Sequence, residues 1–172
     1  MPDLVGRLVR LRTTTADDKA ALVSIRATDD VRRWWRGEDL DAEFDDDLAD
    51  EDVVRLTIET PDGVIVGLIQ FAEEDDPDYR HAGLDIYVDP VHHRRGYASD
   101  AIRTLATHLI EERGHHRLTI DPSAENAAAI ACYSSVGFEP VGVMRAYERR
   151  PDGTWGDGLL MEFVAEDGAA PR

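Results

Sequence analysis

Residues 89–98 read DPVHHRRGYA, and this stretch decides the fold. The chain passes there from an apolar strand pattern, through a basic loop that contains Gly96, into a helix pattern with Ala98, Ile102 and Leu105 along one face. The first amide groups of a helix have no partner within the helix, and the helix dipole favours an anion beside them. The stretch therefore indicates a phosphate-binding loop, although an Arg-Arg-Gly turn also suits a solvated helix start.

A second informative stretch covers residues 126–138 and reads NAAAIACYSSVGF. Asn126 and Tyr133 are seven residues apart, so on a helix they lie near the same face, two turns from each other. Gly137 suits the left-handed end of that helix, and Phe138 begins another strand pattern. Alone, this stretch is equally consistent with a buried tyrosine that bonds to a backbone partner.

Outward from these two stretches, the spacing of apolar residues predicts alternating strands and helices. We expect one or two short helices in the acidic region 29–52 and a turn at residues 61–63. The predicted strands cover about 4–12, 53–59, 64–71, 82–88, 117–120, 138–147 and 155–164, and the other helices follow residue 15 and cover about 97–109 and 123–136. This order predicts an α/β (α+β) fold whose mixed sheet is largely antiparallel. We expect a single domain over residues 1–165 and a flexible tail over 166–172.

Composition limits the partners and the location of the protein. The formal net charge of −17 would repel nucleic acid and an anionic membrane, whereas it would attract a cationic small molecule. No apolar run is long enough for a membrane span and no signal peptide is evident, so we expect a cytoplasmic protein. The lone Cys132 can form no internal disulfide, and the adjacent pairs His92–His93 and His115–His116 have diverging side chains that predict no metal site.

At a separation of about 30 residues, the two stretches together resemble the signature segments of the GNAT superfamily of N-acetyltransferases. The resemblance implies a central sheet flanked by helices and splayed between the fourth and fifth strands, at 82–88 and 117–120. It implies acetyl-coenzyme A as co-substrate, with its pyrophosphate on the loop amides and its pantetheine arm along the preceding strand. The co-substrate residues that it implies are Ile86, Tyr87, Val88, Arg94, Arg95, Gly96, Tyr97, Ala98, Ser99 and Asn126. Tyr133 falls where the family has its general acid, and His93 departs from the usual Gln or Arg.

A closer resemblance lies outside those segments. Residues 31–38 (VRRWWRGE), 81–85 (HAGLD) and 119–123 (TIDPS) resemble the substrate-side segments of the aminoglycoside 6'-N-acetyltransferases. This similarity runs from about residue 25 to 140 and implies that the acceptor amine is bound by Trp34, Trp35, Glu38, Asp85 and Asp121. Because Trp34 and Trp35 are consecutive, we expect at most one of them to face the substrate while the other packs inward.

Elementary chemistry supports Asp85 and Tyr133 as the catalytic pair. An amine with a pKa near 10.4 is protonated at pH 7, so it must lose a proton before it can attack a thioester. Asp85 lies in a strand pattern between Leu84 and Ile86, although it can also be an outward-facing strand residue. Tyr133 can protonate the leaving thiolate or stabilise it by a hydrogen bond.

We therefore expect direct acetyl transfer from acetyl-coenzyme A to a primary amine in a ternary complex, without metal and without a covalent enzyme intermediate. The expected acceptor is the 6'-amine of an aminoglycoside. Two alternatives remain: acetylation of protein N-termini of the ribosomal-protein type, and a non-catalytic module that binds acyl-coenzyme A or a cationic drug. We expect a monomer or homodimer, with no nucleic-acid or membrane partner, and Cys132 as a small buried apolar residue rather than a nucleophile.

Overall fold

The computed structural model describes residues 1–150, 152–165 and 169–171, and eight strands run through this part of the chain. They are β1 (Leu4–Val5), β2 (Arg10–Thr13), β3 (Val53–Glu59), β4 (Ile65–Glu74), β5 (His81–Val88), β6 (Arg117–Ile120), β7 (Glu139–Arg149) and β8 (Trp155–Val164). The helices are α1 (Lys19–Arg26), α2 (Asp29–Arg32), α3 (Leu40–Ala49), α4 (Tyr97–Thr107) and α5 (Ala127–Val136). Short 3₁₀ turns at Ala16–Asp18 and Pro90–His92 and a π-helical turn at His108–Glu112 complete the described elements.

The strands form one sheet in the order β1-β2-β3-β4-β5-β6-β8-β7. Neighbouring strands are antiparallel everywhere except between β5 and β6, which are parallel. The ladder between β5 and β6 contains only two pairs, Ala82 with Leu118 and Gly83 with Thr119, and beyond them the strands separate. The predicted mixed α/β fold, with its splay between the strands at 82–88 and 117–120, is confirmed.

The first predicted strand, residues 4–12, is in fact two short strands joined by a turn. The Gly6 amide donates to the Val9 carbonyl at 2.8 Å, which closes the turn between β1 and β2. The buried Asp100 carboxylate of α4 accepts hydrogen bonds from the amides of Leu8 (2.7 Å) and Val9 (3.1 Å). In a continuous strand these two amides would bond to a neighbouring strand, whereas here they bond to the Asp100 carboxylate. The carboxylate thereby holds the turn against α4.

Two apolar clusters hold the layers together. The larger one joins α4 to the sheet, and Ile102, Leu105 and Leu109 lie fully buried in it. The smaller one lies under α1 and α3 and contains Leu22, Phe44, Leu68 and Tyr87. Tyr87 belongs to β5 and Leu68 belongs to β4. The smaller cluster therefore packs against one face of these two strands, next to the place where β5 and β6 separate.

The flexible tail that the sequence predicts over residues 166–172 lies partly outside the described residues, because residues 166–168 and 172 are not among them. Of the remaining tail residues, Ala170 packs against the larger cluster and Pro171 is buried. Among the helices in the described ranges, none has the length and apolar character that a bilayer span requires.

Candidate active site

The splay of the sheet forms the centre of the candidate site. We use "the cleft" for the gap bounded by residues 84–88 of β5 and by residues 120–122 at the end of β6. Within the described residues, β5 and β6 share no ladder pair beyond Gly83 and Thr119, so this side of residues 84–88 is an open strand edge. An extended ligand can pair with such an edge through main-chain hydrogen bonds. This edge carries the backbone of Ile86, Tyr87 and Val88, the segment that the resemblance to the GNAT superfamily assigns to the pantetheine arm.

The loop after β5 presents main-chain amides at the end of the cleft. Arg94 and Gly96 both have left-handed backbone, with φ of 60° and 84°, and Gly96 is the residue before α4. The first amides of any α-helix lack a partner within the helix. In α4 these are the amides of Tyr97, Ala98 and Ser99. Arg94 and Arg95 are exposed, and none of the ion pairs formed among the described residues uses either of them. The loop therefore offers an anion both amides and free positive charge.

His93 has a structural position in this loop. Its Nε2 atom lies 2.9 Å from the carbonyl oxygen of Val88, the last residue of β5. A carbonyl oxygen only accepts, so Nε2 carries the proton and donates it. His93 thereby ties the loop to the end of the strand.

Asp85 lies on β5 beside the cleft. It is in register with Gln70 of β4, whose Nε2 donates to the Asp85 carboxylate at 3.3 Å. The Asp85 side chain is exposed to solvent, but the protein atoms near its carboxyl desolvate it in part, and this desolvation raises its pKa. The hydrogen bond from Gln70 opposes the rise, and the nearby charge of Asp121 adds to it. Asp85 is consequently a stronger base than an ordinary exposed aspartate.

Asp121 lies across the cleft from Asp85, directly after β6. The hydroxyl of Tyr147, a residue of β7, interacts with this carboxylate. This interaction, together with partial burial and the charge of Asp85, raises the pKa of Tyr147 to about 12. The structure thus brings two carboxylates and a phenol together from β5, β6 and β7.

Tyr133 is buried on α5 and faces the same charges. Burial raises the pKa of its phenol well above the ordinary value, and Cys132, Asp85 and Asp121 raise it further. The hydroxyl therefore stays protonated over the physiological range and can act as a hydrogen-bond donor there.

The other co-substrate residues nominated on α4 and α5 have structural contacts of their own. The side-chain oxygen of Asn126 caps α5 by accepting the amide of Ala129 at 3.1 Å, which leaves its NH₂ group as the donor for a ligand. Cys132 is half-buried, and its Sγ lies 3.4 Å from the hydroxyl of Ser99. This contact joins the first turn of α4 to α5.

The tryptophan segment follows α2. Trp35 packs edge-to-face on Tyr87, with ring centroids 4.9 Å apart, and contributes to the smaller apolar cluster. Trp34 is half-buried, and the guanidinium of Arg33 lies 4.7 Å from its ring centroid. Glu38 is exposed, with its amide bonded to Glu43. Trp35 is thus the inward-packing member of the pair.

Two residues of the site, Gln70 and Tyr147, do not appear among the sequence-based candidates. Gln70 could have been found from the sequence, because it is a polar residue between Ile69 and Phe71 and interrupts an otherwise apolar strand. Tyr147 had no comparable signal, since it comes near Asp121 only in the folded sheet, at an irregular part of β7. Within the described ranges, no group of three His, Cys, Asp or Glu side chains could hold a metal ion.

The splayed sheet, the amide-rich loop and the adjoining α4 and α5 define a GNAT-type fold. The chain belongs to the GNAT acetyltransferase family, since the profile of the Acetyltransferase (GNAT) domain matches residues 8–139.

The individual relatives are all acetyltransferases, but their names give different acceptors. The [Ribosomal protein bS18]-alanine N-acetyltransferase of Escherichia coli (strain K12) is 42% identical over 81 residues, which is 45% of this chain and 51% of that protein. The chain therefore spans about half the length of this curated relative. The Aminoglycoside N(6')-acetyltransferase type 1 of Klebsiella pneumoniae is 26% identical over 164 residues, which is 84% of this chain and 79% of that protein. Among solved structures, Mycobacterium smegmatis RimJ in complex with CoA-disulfide shares the fold with a TM-score of 0.81 at 24% identity, over 96% of this chain and 87% of that one.

Proposed function

We propose that this protein transfers the acetyl group of acetyl-coenzyme A to a primary amine, and that the acceptor is the 6'-amine of an aminoglycoside. The observation that carries the proposal is the grouping of Asp85, Asp121 and Tyr133 at the cleft: the charge of Asp121 raises the pKa of Asp85, and both carboxylates raise the pKa of the Tyr133 phenol. Transfer is direct, within a ternary complex of the protein and its two substrates.

The donor side fits coenzyme A. The amides of Tyr97, Ala98 and Ser99 and the free charges of Arg94 and Arg95 suit a pyrophosphate, and the open edge of β5 suits an extended amide-containing arm. When bound there, acetyl-coenzyme A supplies an acetyl group activated as a thioester. The NH₂ group of Asn126 is available as a further donor to the same ligand.

The acceptor side fits an ammonium ion. The carboxylates attract the cation, but they also stabilise its protonated and unreactive form, so a proton must leave before the amine can attack. Asp85 is the acceptor of that proton, directly or through a water molecule, because desolvation and the charge of Asp121 raise its pKa. Asp121 remains as the counter-charge that holds the amine in place.

Tyr133 serves the other end of the reaction. Its phenol stays protonated because burial raises its pKa, so its O–H donates a hydrogen bond toward the sulfur that leaves. Full proton transfer from a phenol to a thiolate is uphill by about 2 kcal/mol for the unshifted groups, and the raised pKa of Tyr133 makes it harder still. Stabilisation by a hydrogen bond is therefore its role in our proposal.

The choice of acceptor rests on how much of the chain each relative matches. The aminoglycoside acetyltransferase matches 84% of the chain, whereas the ribosomal-protein acetyltransferase matches 45%. The two carboxylates at the cleft and the net charge of −17 also favour a polycation. Acetylation of a protein N-terminus is the second candidate, because the 42% identity to the ribosomal-protein enzyme is the higher of the two.

The test is to incubate the purified protein with acetyl-coenzyme A and, separately, kanamycin, spermidine and a peptide with N-terminal alanine. Thiol release and the mass of each product are measured. We expect one acetyl group on kanamycin, lost in Asp85→Asn and retained in Asp78→Asn, an exposed aspartate outside the cleft. Acetylation of the peptide alone would reject the aminoglycoside acceptor, and tight acetyl-coenzyme A binding without any product would reject the enzyme.

A further inference from the structure

A short segment between α2 and α3 connects two strands that lie on either side of the cleft. We call residues 35–38 the strap. At its start, Trp35 packs edge-to-face on Tyr87 of β5, with ring centroids 4.9 Å apart. The next residue, Arg36, pairs with Glu148 of β7, and its Nη2 atom lies 3.6 Å from a carboxylate oxygen. Because β6 and β8 lie between β5 and β7 in the sheet, the strap bridges the cleft.

An irregular stretch of β7 brings Glu148 near the segment that follows Asp121. The register of β7 against β8 shifts just before Glu148. The ring of the preceding residue, Tyr147, lies against Gly158 of β8, where a Cβ atom would come within 2.7 Å of the ring. Gly158 in turn forms a bridge with Ser123, two residues after Asp121. Glu148 therefore belongs to the part of the sheet that borders the acceptor side.

The backbone of the strap is anchored from α1 and α3. Arg26 of α1 donates from Nη2 to the carbonyl oxygen of Arg36 and to the Glu43 carboxylate of α3, both at 2.7 Å. The other oxygen of Glu43 accepts the amide of Glu38 at 2.8 Å. A Cβ atom at Gly37 would overlap the Glu43 carboxylate, so glycine permits this close approach. These contacts hold the strap backbone without help from the Arg36 side chain.

The guanidinium of Arg36 is held less firmly than this backbone. At 3.6 Å, its ion pair with Glu148 is too long for a hydrogen bond. The Nε atom of Arg36 is buried, and no group of the described residues accepts a hydrogen bond from it. Both side chains are partly exposed, at 28% and 23%, and ion pairs of this kind contribute little to stability. The Arg36 side chain can therefore leave Glu148 while the strap backbone stays in place.

We propose that Glu148 is a second ammonium-binding carboxylate of the acceptor side, and that Arg36 occupies it until a polycationic acceptor displaces the guanidinium. This inference rests on the proposed function. Trp35 contacts β5 on the face of Asp85, because Tyr87 lies two positions after Asp85 in the strand. A polycation whose reacting amine lies at Asp85 can thus present a further ammonium ion to Glu148 beneath the strap.

This arrangement selects acceptors that carry several charges. An acceptor with a single ammonium ion offers only its reacting amine and leaves the pair between Arg36 and Glu148 intact. A polycation replaces one cation by another at Glu148, and it must compete with Arg36 to do so. Arg36 therefore lowers the affinity for a polycation, whereas Glu148 raises it. A purely structural ion pair would behave differently, because loss of either partner would then weaken binding.

The test measures the kanamycin dissociation constant by calorimetry and the steady-state constants with each amine that the protein acetylates. Arg36→Gln should lower the dissociation constant and the KM for kanamycin by about two- to fivefold, and Glu148→Gln should raise them by about three- to tenfold. The kcat and the KM for acetyl-coenzyme A should stay within about twofold, because only acceptor binding changes. In the Glu148→Gln background, Arg36→Gln should change the kanamycin dissociation constant by less than about twofold.

Arg7→Gln is the matched control, because it removes the same charge from an exposed arginine in the turn between β1 and β2. The inference would be overturned, with the proposed function intact, by an equal gain in Arg7→Gln, by no gain in Arg36→Gln or by unchanged binding in Glu148→Gln. Opposite shifts in the two variants without acetylation of any amine would overturn the proposed function alone. No kanamycin binding by the wild type or by Arg36→Gln would overturn both the inference and the aminoglycoside acceptor.

Discussion

The donor side and the acceptor side of the cleft are built in different ways. The donor side comes mainly from one continuous stretch, residues 84–99, and offers main-chain amides, an open strand edge and two exposed arginines. The acceptor side comes from side chains on β4, β5, β6 and β7, and its charges are carboxylates. Recognition by the backbone leaves a compact sequence motif, whereas the residues that recognise a ligand through their side chains are scattered along the chain. This difference also predicts that substitutions on the two sides affect different substrates.

The largest effect should follow from Asp85→Asn. Loss of the base should lower kcat for the acceptor by about 10²- to 10⁴-fold, the usual contribution of a positioned proton acceptor. The dissociation constant of acetyl-coenzyme A, measured by calorimetry, should change less than twofold, because the donor is held by other groups. A large loss of acetyl-coenzyme A affinity would show that the two sides are not separate.

On the donor side, Gly96→Ala should weaken acetyl-coenzyme A by about 5- to 30-fold, since left-handed backbone costs an L-residue about 1 to 2 kcal/mol. An added Cβ would also lie 3.2 Å from Leu8 Cδ1. Gly63→Ala is the control, because its φ of 82° imposes similar strain at a turn with open space around it. Equal acetyl-coenzyme A binding in both variants would remove the loop from the donor site.

The pH dependence distinguishes the two carboxylates. Asp85 must be ionised to accept a proton, so kcat/KM should fall as the pH drops through its raised pKa. Removal of the neighbouring charge in Asp121→Asn removes one cause of that rise, so the acid limb of the profile should move to lower pH. An acid limb that stays in place or moves to higher pH would mean that Asp121 does not act on Asp85.

The smallest effect should come from an arginine of the loop. Arg95→Gln should weaken acetyl-coenzyme A by about two- to fivefold, as expected for an exposed charge, and added salt should reduce the difference. The measurement is the acetyl-coenzyme A dissociation constant at low and high ionic strength. A loss larger than that of Gly96→Ala would give the main role to the side chains rather than to the amides.

Much of the fold followed from local patterns in the sequence. The strands at 53–59 and 117–120 occur at their predicted bounds, because apolar patterning and neighbouring turn residues act locally. The single predicted first strand was wrong, because its turn is fixed by Asp100, which is more than 90 residues away. The predicted helix at 123–136 begins only at Ala127, where Asn126 caps it.

The parts of the site that are formed by short continuous segments could be predicted from the sequence. The loop at residues 94–99 and Tyr133 could be nominated from short motifs, and Asp85 and Asp121 from resemblance. Gln70 reaches Asp85 only through the register of β4 and β5. Tyr147 comes near Asp121 from a bulge in β7, where the register against β8 shifts between Met144 and Glu148. Neither a register nor a bulge is encoded in the spacing of a single segment, and so neither contact could be predicted.

The most direct test of the separation between donor and acceptor sides is calorimetry on the double variant Asp85→Asn/Asp121→Asn, titrated with acetyl-coenzyme A and, in parallel, with kanamycin. We predict wild-type affinity for acetyl-coenzyme A and loss of measurable kanamycin binding. Retained kanamycin binding, or weakening of both ligands to a similar degree, would contradict the assignment of the two carboxylates to the acceptor.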